Sequence, residues 1–562
     1  MGDFSEIFKI LDRKSFLEDP SMILPYMTDF GFDETQTAML ERVLSDDRKM
    51  FTEFLRCPGS DSRKISDSIA EHCMLGSDRL FELLNEIKNM LYPETALPTK
   101  IASHEWYGKC LETDDGSALY SLDGYTLLEV KDCNTFRIPY FVTAIEDCAF
   151  CGCRSLKNAV IPDSVTSIGD NAFENCKSLE SVIIPDSVKS IGWKAFSGCD
   201  RRVFSVGKNN PHYRSLDGCL LQDDELLYGR IDEDGSAIIP DSVTSIGRNA
   251  FYGCESLKRA TIPDSVTSIE GNSFYGCESL ENIAIPDSVT SIGSCSFSNC
   301  KSLENAVMPD SVESIGWRAF RGCKSLENVI IPDSVTDIGD EAFSGCDHRV
   351  FSVGKNNPNY RSLDGCLLYG NKLLYGRIDG GGHAIIPNSV TSIGNNAFYG
   401  CKSLKKAIIP DSVTNIGDCA FSDCVSLESV IIPDSVTNIE SYVFSGCDRR
   451  VFSVGKNNPN YRSLDGCLLC GNELLYGRID GDGYAIIPDS VTSIGNNAFY
   501  GCESLKRVTI PDSATSIGYY AFFNCKSLES AIVPDSVTDV EHCAFDKHTN
   551  VIRTGKKTND VI

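Results

Sequence analysis

The apolar positions of the chain recur with a fixed period over most of its length. A proline, usually in the dipeptide Ile-Pro, stands at fourteen positions, and consecutive prolines are 23 residues apart except at three steps of 55 residues. The repeated unit reads approximately L-x-x-V-x-I-P-D-S-V-T-S-I-G-x-x-A-F-x-x-C. Self-similarity at one period is the signature of a repeat architecture, in which each unit contributes one coil of a solenoid.

One unit, "NCKSLESVIIPDSVKSIG" at residues 175–192, shows how the pattern predicts a coil. The alternation before the proline predicts a short strand in which Val182 and Ile184 face the core and Ile183 faces outward. Pro185 ends the strand because it has no N–H group to donate, and the Asp-Ser pair after it predicts a turn. One such unit cannot bury its own apolar face, so the sequence predicts stacked coils.

Two further columns of the repeat predict the core of the solenoid. Phenylalanine lies eleven residues after every one of the fourteen prolines, and cysteine lies fourteen residues after thirteen of them. We predict a ladder of core rings and a column of buried free thiols, since an inward column of small side chains is typical of unpaired cysteine. The "CAFCGC" and "CLLC" clusters lack a second C-x-x-C pair and a nearby histidine. No metal site is therefore predicted.

The segments I-P-x-S-V, I-G-x-x-A-F and C-x-x-L resemble those of the BspA-type leucine-rich repeats, and the resemblance covers about residues 120–545. It implies an α/β-type solenoid, a leucine-rich repeat superhelix with a parallel β-sheet on its concave face. It also implies a surface or secreted protein that binds other proteins and is not an enzyme.

Each of the three long units carries an insert, at residues 202–231, 349–378 and 450–479. The segment "VFSV" fits the usual strand position and "NNP" predicts a turn. In the second and third inserts Gly370-Asn371 and Gly471-Asn472, each between two apolar runs, predict a β-hairpin. Each hairpin presents one tyrosine and one arginine, residue types that are enriched in binding hot spots but that also form ordinary cross-strand pairs. These candidate protein-binding residues are Tyr213, Arg214, Tyr360, Arg361, Tyr461 and Arg462.

The remaining segments complete the predicted domain organisation. Apolar residues such as Leu80, Leu84 and Ile87 recur at helical spacing near the N-terminus, which predicts a small α-helical domain or cap. The predicted divisions are an α-helical domain at 1–97, a linker and entry to the first coil at 98–117, the solenoid at 118–546 and a polar C-terminal tail at 547–562.

The charge and the cysteine content narrow the classes of partner and compartment. The formal net charge of −27 is opposite in sign to that of most nucleic-acid binders. No apolar run approaches the ~20 residues of a membrane helix, and the first residues lack the apolar region of a signal peptide. Together with many free cysteines, this favours the cytoplasm. The alternative is a cell-surface or secreted location reached by a non-classical route. The sequence leaves the oligomeric state open.

Catalytic patterns find little support in the sequence. The seven histidines are scattered, and the chain has no H-E-x-x-H, G-x-S-x-G or P-loop motif. We therefore predict neither an enzyme nor a cofactor. Aspartate follows the proline in twelve of the fourteen units, which predicts a row of turn caps. A cation-binding structural module is the alternative function for that row.

The outward strand positions are where a partner could be recognised. The position two residues before the proline is mostly aliphatic, and the position four residues before it varies most from unit to unit. We predict a non-enzymatic scaffold that binds a protein of unknown identity there, or alternatively an adhesin for host or neighbouring-cell proteins. The candidate residues are Ile183, Ile330, Ile385, Ile408, Ile431 and Ile486 in the aliphatic column, and Arg259, His383, Lys406, Tyr484 and Arg507 in the variable column.

Overall fold

The computed structural model describes residues 98–554 except 114, 201, 348 and 449, together with residue 38. The predicted α-helical domain of residues 1–97 lies, apart from that single residue, outside the described residues and stays a prediction. The chain divides into two compact units, Met1–Asp232 and Glu233–Ile562.

Each repeat forms a coil that carries two short parallel strands and a series of turns. The first strand ends at or before the proline, and the second is the Ser-Ile pair that follows it by five residues, as in Ser181–Ile184 and Ser190–Ile191. Within each unit, first strands pair in register with first strands and second strands with second strands. The predicted stack of parallel strands is confirmed, and it has two rows of strands rather than one. We call the row of first strands the first sheet and the row of second strands the second sheet, and each row is divided into separate hydrogen-bonded segments.

The first unit contains fifteen strands. They are β1 (Pro98–His104), β2 (Gly108–Thr113), β3 (Ala118–Tyr120), β4 (Thr126–Val130), β5 (Thr135–Arg137), β6 (Ala144–Ile145), β7 (Asn158–Val160), β8 (Ser167–Ile168), β9 (Ser181–Ile184), β10 (Ser190–Ile191), β11 (Val203–Val206), β12 (Arg214–Leu216), β13 (Cys219–Gln222), β14 (Glu225–Tyr228) and β15 (Arg230–Ile231). In this unit the first sheet consists of β5-β7-β9-β11, and the second sheet runs from the antiparallel strands β1 to β4 into the parallel strands β6, β8 and β10. Residues 98–117, predicted as a linker, therefore include the hairpin β1–β2.

The second unit begins with shorter strands of the same two kinds. They are β16 (Ala237–Ile238), β17 (Ser245–Ile246), β18 (Arg259–Thr261), β19 (Ser268–Ile269), β20 (Asn282–Ala284), β21 (Ser291–Ile292), β22 (Asn305–Val307), β23 (Ser314–Ile315), β24 (Asn328–Ile331), β25 (Asp337–Ile338), β26 (Val350–Val353), β27 (Tyr360–Leu363), β28 (Cys366–Tyr369), β29 (Lys372–Tyr375), β30 (Arg377–Ile378) and β31 (Ala384–Ile385). Here β26 takes the position of a first strand beside β24, as "VFSV" predicted.

The same order repeats to the end of the described chain. The strands are β32 (Ser392–Ile393), β33 (Lys406–Ile408), β34 (Asn415–Ile416), β35 (Ser429–Ile432), β36 (Asn438–Ile439), β37 (Val451–Val454), β38 (Tyr461–Leu464), β39 (Cys467–Cys470), β40 (Glu473–Tyr476), β41 (Arg478–Ile479), β42 (Ala485–Ile486), β43 (Ser493–Ile494), β44 (Arg507–Thr509), β45 (Ser516–Ile517), β46 (Ser530–Pro534), β47 (Asp539–Val540) and β48 (Asn550–Thr554). Strand β48 lies within the predicted polar tail and pairs with β46.

The predicted hairpins of the long units are confirmed, and each is one half of a three-stranded antiparallel meander. Strand β28 pairs with β29 across the predicted Gly370-Asn371 turn, and β27 pairs with β28 across Asp364-Gly365. The meander β38–β39–β40 repeats this arrangement. Strands β29 and β40 then pair in parallel with the second strands β32 and β43, so these two inserts are part of the second sheet.

The α/β character that the family resemblance implied is wrong for the described repeats, because residues 98–554 contain no α-helix where the structure describes them. A residue with positive φ stands nine positions after every proline, and another stands thirteen positions after thirteen of the fourteen. Left-handed residues at this spacing interrupt an α-helix within its first turns. The return path of each coil is therefore a series of turns that stack on those of the next coil, as where Phe173 N donates to Ala195 O at 2.7 Å.

The predicted phenylalanine ladder is confirmed within runs of consecutive 23-residue units. Phe150 and Phe173 stack with ring centroids 4.6 Å apart and planes 9° from parallel. At a long unit the stacking stops, and Phe343 meets the rings of Phe351 and Tyr375 edge-on at 84° and 85°. The ladder is therefore a set of shorter stacks, each closed by perpendicular rings.

The predicted column of buried free thiols is also confirmed. All thirteen cysteines of the column are buried, and no cysteine of the described residues forms a disulfide. Most of these thiols donate to a phenylalanine carbonyl of the preceding coil, as where Cys300 Sγ lies 3.2 Å from Phe274 O. The column therefore links coils through weak S–H···O bonds as well as by packing.

Three arginines are fully buried, one at the start of each insert: Arg202, Arg349 and Arg450. Arg349 Nη1 donates to Cys346 O and lies 3.7 Å from Cys401 Sγ, and its Nη2 donates to Ala397 O at 3.1 Å. The guanidinium carbon is 5.3 Å from the centroid of the Tyr375 ring. The arginine thus lies between Cys346 and Cys401, where the insert interrupts the thiol column. The sequence analysis did not predict this buried arginine.

A glycine of the second insert lies so close to a buried aromatic ring that its substitution supports a first prediction. A Cβ atom at Gly376 would lie 1.9 Å from the Phe398 ring, so Gly376→Ala is expected to lower stability by about 1–3 kcal/mol. Nothing lies within 4 Å of the corresponding position at Gly380, which makes Gly380→Ala the matched control. Thermal melting of the two variants checks this. Equal melting temperatures would show that the ring can shift at no cost.

Candidate functional site

The outward aliphatic column of the first sheet is exposed, as predicted for much of its length. The exposed fractions are 45% for Ile183, 44% for Ile330 and 51% for Ile408. We call the part of this column that lies in the second unit the first-sheet stripe, and its most exposed members are Val307, Ile330, Ile408 and Ile532. Val160 and Ile183 hold the same repeat position in the first unit. Val307 pairs with Ile330 and Ile408 pairs with Ile431, whereas Ser352 stands beside Ile330 on its other side. The aliphatic side chains therefore adjoin in pairs along the column.

Two predicted members of this column are less exposed than expected. Ile385 and Ile486 are half-buried and pack against the core. The cause is the insert that precedes each of them, because Arg377 pairs with Ile385 and Arg478 with Ile486 in short antiparallel ladders. Ile431 is also half-buried.

The variable column brings polar side chains together beside the stripe. The backbones of His383 and Lys406 form a parallel β-bridge between adjacent coils, and those of Tyr484 and Arg507 form another. Arg259, His383, Tyr484 and Arg507 are exposed, and Lys406 is half-buried. His383 Nδ1 lies 3.1 Å from Asp379 Oδ2, while the pair formed by Arg507 and Glu529 is looser, at 3.9 Å. The predicted residues therefore form two mixed patches of basic, aromatic and aliphatic groups.

The hairpin tyrosines proposed as contact residues are structural instead. Tyr213 and Tyr360 are buried and Tyr461 is half-buried. The Tyr360 hydroxyl accepts a hydrogen bond from Ile338 N at 3.0 Å, and the other two rings make the same contact with the preceding coil. Burial raises the pKa of Tyr360 above its ordinary value. These rings fasten the insert to the second sheet, and Tyr213 and Tyr360 have too little exposed surface to contact a partner.

The hairpin arginines are partly exposed and hold their own turns. Arg361 Nε donates to Gly370 O at 3.1 Å. Arg462 Nε donates to Gly471 O at 2.8 Å, and Arg214 Nε donates to Asp223 O at 3.0 Å. Since each guanidinium caps a hairpin, a partner that bound there would compete with an existing contact.

The aspartates after the prolines act as caps where their contacts are visible. Asp186 Oδ1 accepts from Asn209 N at 3.0 Å, and the equivalent aspartates contact the other two inserts in the same way. The serine beside the aspartate binds the preceding coil, as where Ser164 Oγ donates to Val142 O at 2.7 Å. Among the residues that the structure describes, no three acidic, histidine or cysteine side chains are placed to hold a metal ion. The contacts favour capping over the cation-binding alternative.

A second exposed aromatic column was missed in the sequence analysis. Trp193, Trp317 and Tyr519 stand eight residues after a proline and are exposed. Lys194 and Arg318 cover the two indoles, at 4.3 and 4.0 Å from the ring centroids. The signal was present, because "IGWKAF", "IGWRAF" and "IGYYAF" depart from the commoner "IGNNAF".

The repeat, the two sheets and the stacked turns agree with a known family. The sequence model described as "BspA type Leucine rich repeat region" matches in six copies, over residues 119–210, 235–349, 382–454 and 484–558. These segments make up more than half of the 562 residues. The chain belongs to the BspA-type leucine-rich repeat family. It is therefore a leucine-rich repeat scaffold, and the family resemblance found in the sequence is confirmed.

Solved structures of bacterial leucine-rich repeat proteins resemble this BspA-type chain. A leucine-rich cell surface protein from Faecalibacterium prausnitzii is 27% identical, with 82% of this chain and 96% of that chain covered and a TM-score of 0.38. A leucine-rich repeat protein from Bacteroides ovatus is 26% identical, with 81% and 98% covered and a TM-score of 0.30. No curated protein matches the chain. Within the described residues, no helix is both long and apolar enough to cross a lipid bilayer.

Proposed function

We propose that this BspA-type chain is a non-enzymatic scaffold that binds another protein on the outward face of the first sheet. The observation that carries the proposal is the first-sheet stripe, whose aliphatic side chains are left exposed and include the adjacent pair Val307 and Ile330. Folded chains rarely expose contiguous apolar surface except where it binds something. In the family this sheet is expected on the concave face, and residues 1–97 are expected to form a helical cap or adaptor.

The polar residues beside the stripe indicate the chemistry of the partner. Arg259, Lys406 and Arg507 place positive charge on this face of a chain whose formal net charge is −27. We infer a partner surface with an apolar centre and acidic residues around it, since complementary charge at the rim of an interface favours correct docking.

Three substitutions test the stripe directly. Val307→Asp, Ile330→Asp and Ile408→Asp are each expected to cost about 2 kcal/mol of binding energy, roughly thirtyfold in affinity, because a charge would enter the apolar centre of the interface. The partner is first identified by affinity purification from the native host and mass spectrometry, and its affinity is then measured by calorimetry for each variant.

Leu122→Asp is the matched control, because Leu122 is an aliphatic residue that is 49% exposed on a turn of the first unit. The control should bind as the native chain does. Unchanged affinity in all three stripe variants, with native melting curves, would place the interface elsewhere.

A second candidate is an adhesin displayed at the cell surface. The cytoplasmic expectation relied on the many free cysteines, but the thirteen thiols of the column are buried, and buried thiols react slowly with oxidants. Their number therefore does not require a reducing compartment. Protease treatment of intact host cells distinguishes the two, since a surface adhesin would be cleaved and a cytoplasmic scaffold would be protected.

A further inference from the structure

A groove runs along the stacked turns of the second unit, away from the first-sheet stripe. Its volume is about 870 Å³. Its floor is the column of glycines with positive φ that stands thirteen residues after the prolines: Gly322, Gly345, Gly400, Gly446 and Gly501. A Cβ atom at Gly345 or Gly400 would lie 3.6 Å from the preceding glycine Cα, so side chains there would narrow the groove.

Two tyrosines form aromatic surfaces along this floor. Tyr399 and Tyr500 line the groove and are half-buried. Arg321 supports Tyr399, with its guanidinium 5.3 Å from the ring centroid, and Tyr442 packs edge-on against Tyr500 at 5.6 Å. Both rings are therefore held in place by neighbours. Gly400 and Gly501 are three stacked turns apart along the floor. Neighbouring turns are ~5 Å apart, so the two tyrosine rings are separated by about 15 Å.

The charges of the lining balance. Lysine and arginine contribute four side chains to it and aspartate and glutamate contribute four, namely Lys301, Arg321, Lys324, Lys402, Asp347, Asp423, Asp448 and Glu503. Several are already engaged, as where Lys526 Nζ lies 2.7 Å from Glu503 Oε1 and Arg321 Nε lies 3.5 Å from Glu341 Oε2. The groove therefore has no net preference for an anion or a cation.

An extended peptide is a poor fit for the same surface. A peptide that added itself as a strand would need free backbone donors, but Gly345 N donates to Tyr399 O and Gly446 N to Tyr500 O, each at 2.8 Å. Val425 is the one aliphatic side chain of the lining among the described residues. The groove thus lacks both a strand edge and a series of apolar pockets.

We propose that this groove binds a linear, uncharged oligosaccharide. Its sugar rings stack on Tyr399 and Tyr500 through their apolar faces, and its hydroxyls pair with the carboxylate and amide groups of the lining. This is a second ligand class on a different surface from the protein interface proposed above.

The test is calorimetric titration of the full chain with chitohexaose, cellohexaose and maltohexaose. We expect at least one of them to bind, and Tyr399→Ala with Tyr500→Ala to weaken its affinity by about tenfold or more, because both stacking surfaces are lost. Tyr399→Phe should bind almost as well as the native chain. Tyr252→Ala is the matched control, since Tyr252 occupies the same repeat position outside the groove.

Three outcomes would overturn the proposal. One is that none of the three oligosaccharides binds at millimolar concentration. Another is that Tyr252→Ala weakens binding as much as the groove variants do, which would indicate a general loss of stability. The third is that a charged polymer or a peptide displaces the oligosaccharide at lower concentration. The stripe variants Ile330→Asp and Ile408→Asp should leave oligosaccharide binding unchanged, so this test and that of the protein interface fail independently.

Discussion

Replacing Arg349 by alanine is expected to loosen the coils on both sides of the second insert, at a local cost of about 3–5 kcal/mol. The guanidinium is fully buried and donates to Cys346 O and Ala397 O. Without it Cys346 O would lose this donor, Ala397 O would keep only its bond from Gly376 N, and the face of Tyr375 would lose its cation. Lysine cannot replace it, because a single ammonium does not reproduce the planar fork that reaches both acceptors.

The measurement is native-state hydrogen exchange, because coils of a solenoid open locally and need not unfold together. We expect amide exchange around residues 343–401 to be faster by about a hundredfold or more, with little change near residues 254–277, several coils away. Arg361→Ala is the matched control from the same insert, since that guanidinium is partly exposed and caps a hairpin turn. It should cost less than about 1 kcal/mol. Equal protection in the two variants would mean that Arg349 merely fills space.

The repeat period explains why the core could be predicted from the sequence. A side chain that recurs at one offset in every coil must meet its own copies, so the stacking of Phe297 on Phe320 and the burial of Cys300 follow from counting. The insert hairpins were equally predictable, because Gly-Asn between apolar runs favours one kind of turn.

The return path was not predictable in the same way. Nine residues after the proline the backbone is left-handed in all fourteen units; asparagine stands there in five of them, but Arg318 and Glu341 adopt the same conformation. Local preference would favour asparagine or glycine, so the stacking of neighbouring turns must impose this conformation. The sequence gives the identity of this residue but not its neighbours on the next coil.

The candidate sites differ in the same respect: some depend on local sequence, and others depend on contacts with other strands or coils. Exposure of Ile330 and Ile408 followed from strand alternation, which is a local property. The half-burial of Ile385 depends on an antiparallel pair with Arg377 that the insert creates. The glycine groove brings Tyr399 and Tyr500 together from positions 101 residues apart, and each tyrosine by itself reads as an ordinary turn residue.

Raising the pH to about 10 is expected to unfold much of the second unit, because its buried thiols would then favour the unfolded chain. Burial raises the pKa of Cys447 from 9.0 to about 12. It raises the pKa values of Cys401 and Cys502 to about 11, against the opposing effect of the nearby arginines. The stability that these protonated thiols contribute is fully present below pH 9 and is lost as the pH rises toward the folded values.

The magnitude follows from the size of these shifts. Each unit of pH between the unfolded and folded pKa values costs about 1.4 kcal/mol per thiol, so these three thiols alone cost about 4 kcal/mol at about pH 10. Typical domains are stable by about 5–15 kcal/mol, and further thiols of the column add to the loss. Cys300 is one of them, since burial raises its pKa well above the ordinary value.

Urea unfolding followed by circular dichroism between about pH 7 and 11 measures the effect, and the midpoint should fall steeply above about pH 9. Cys447→Ala should reduce the dependence of the urea midpoint on pH by the contribution of about one proton, because one buried thiol no longer titrates. This difference in slope is expected even if the variant is less stable at neutral pH. Cys470→Ala, at an exposed position on the third insert, should leave the slope as it is. A midpoint that stays constant up to about pH 11 would mean that the coils open enough to hydrate the thiols without unfolding, and that the S–H···O bonds of the column contribute little to the stability of the stack.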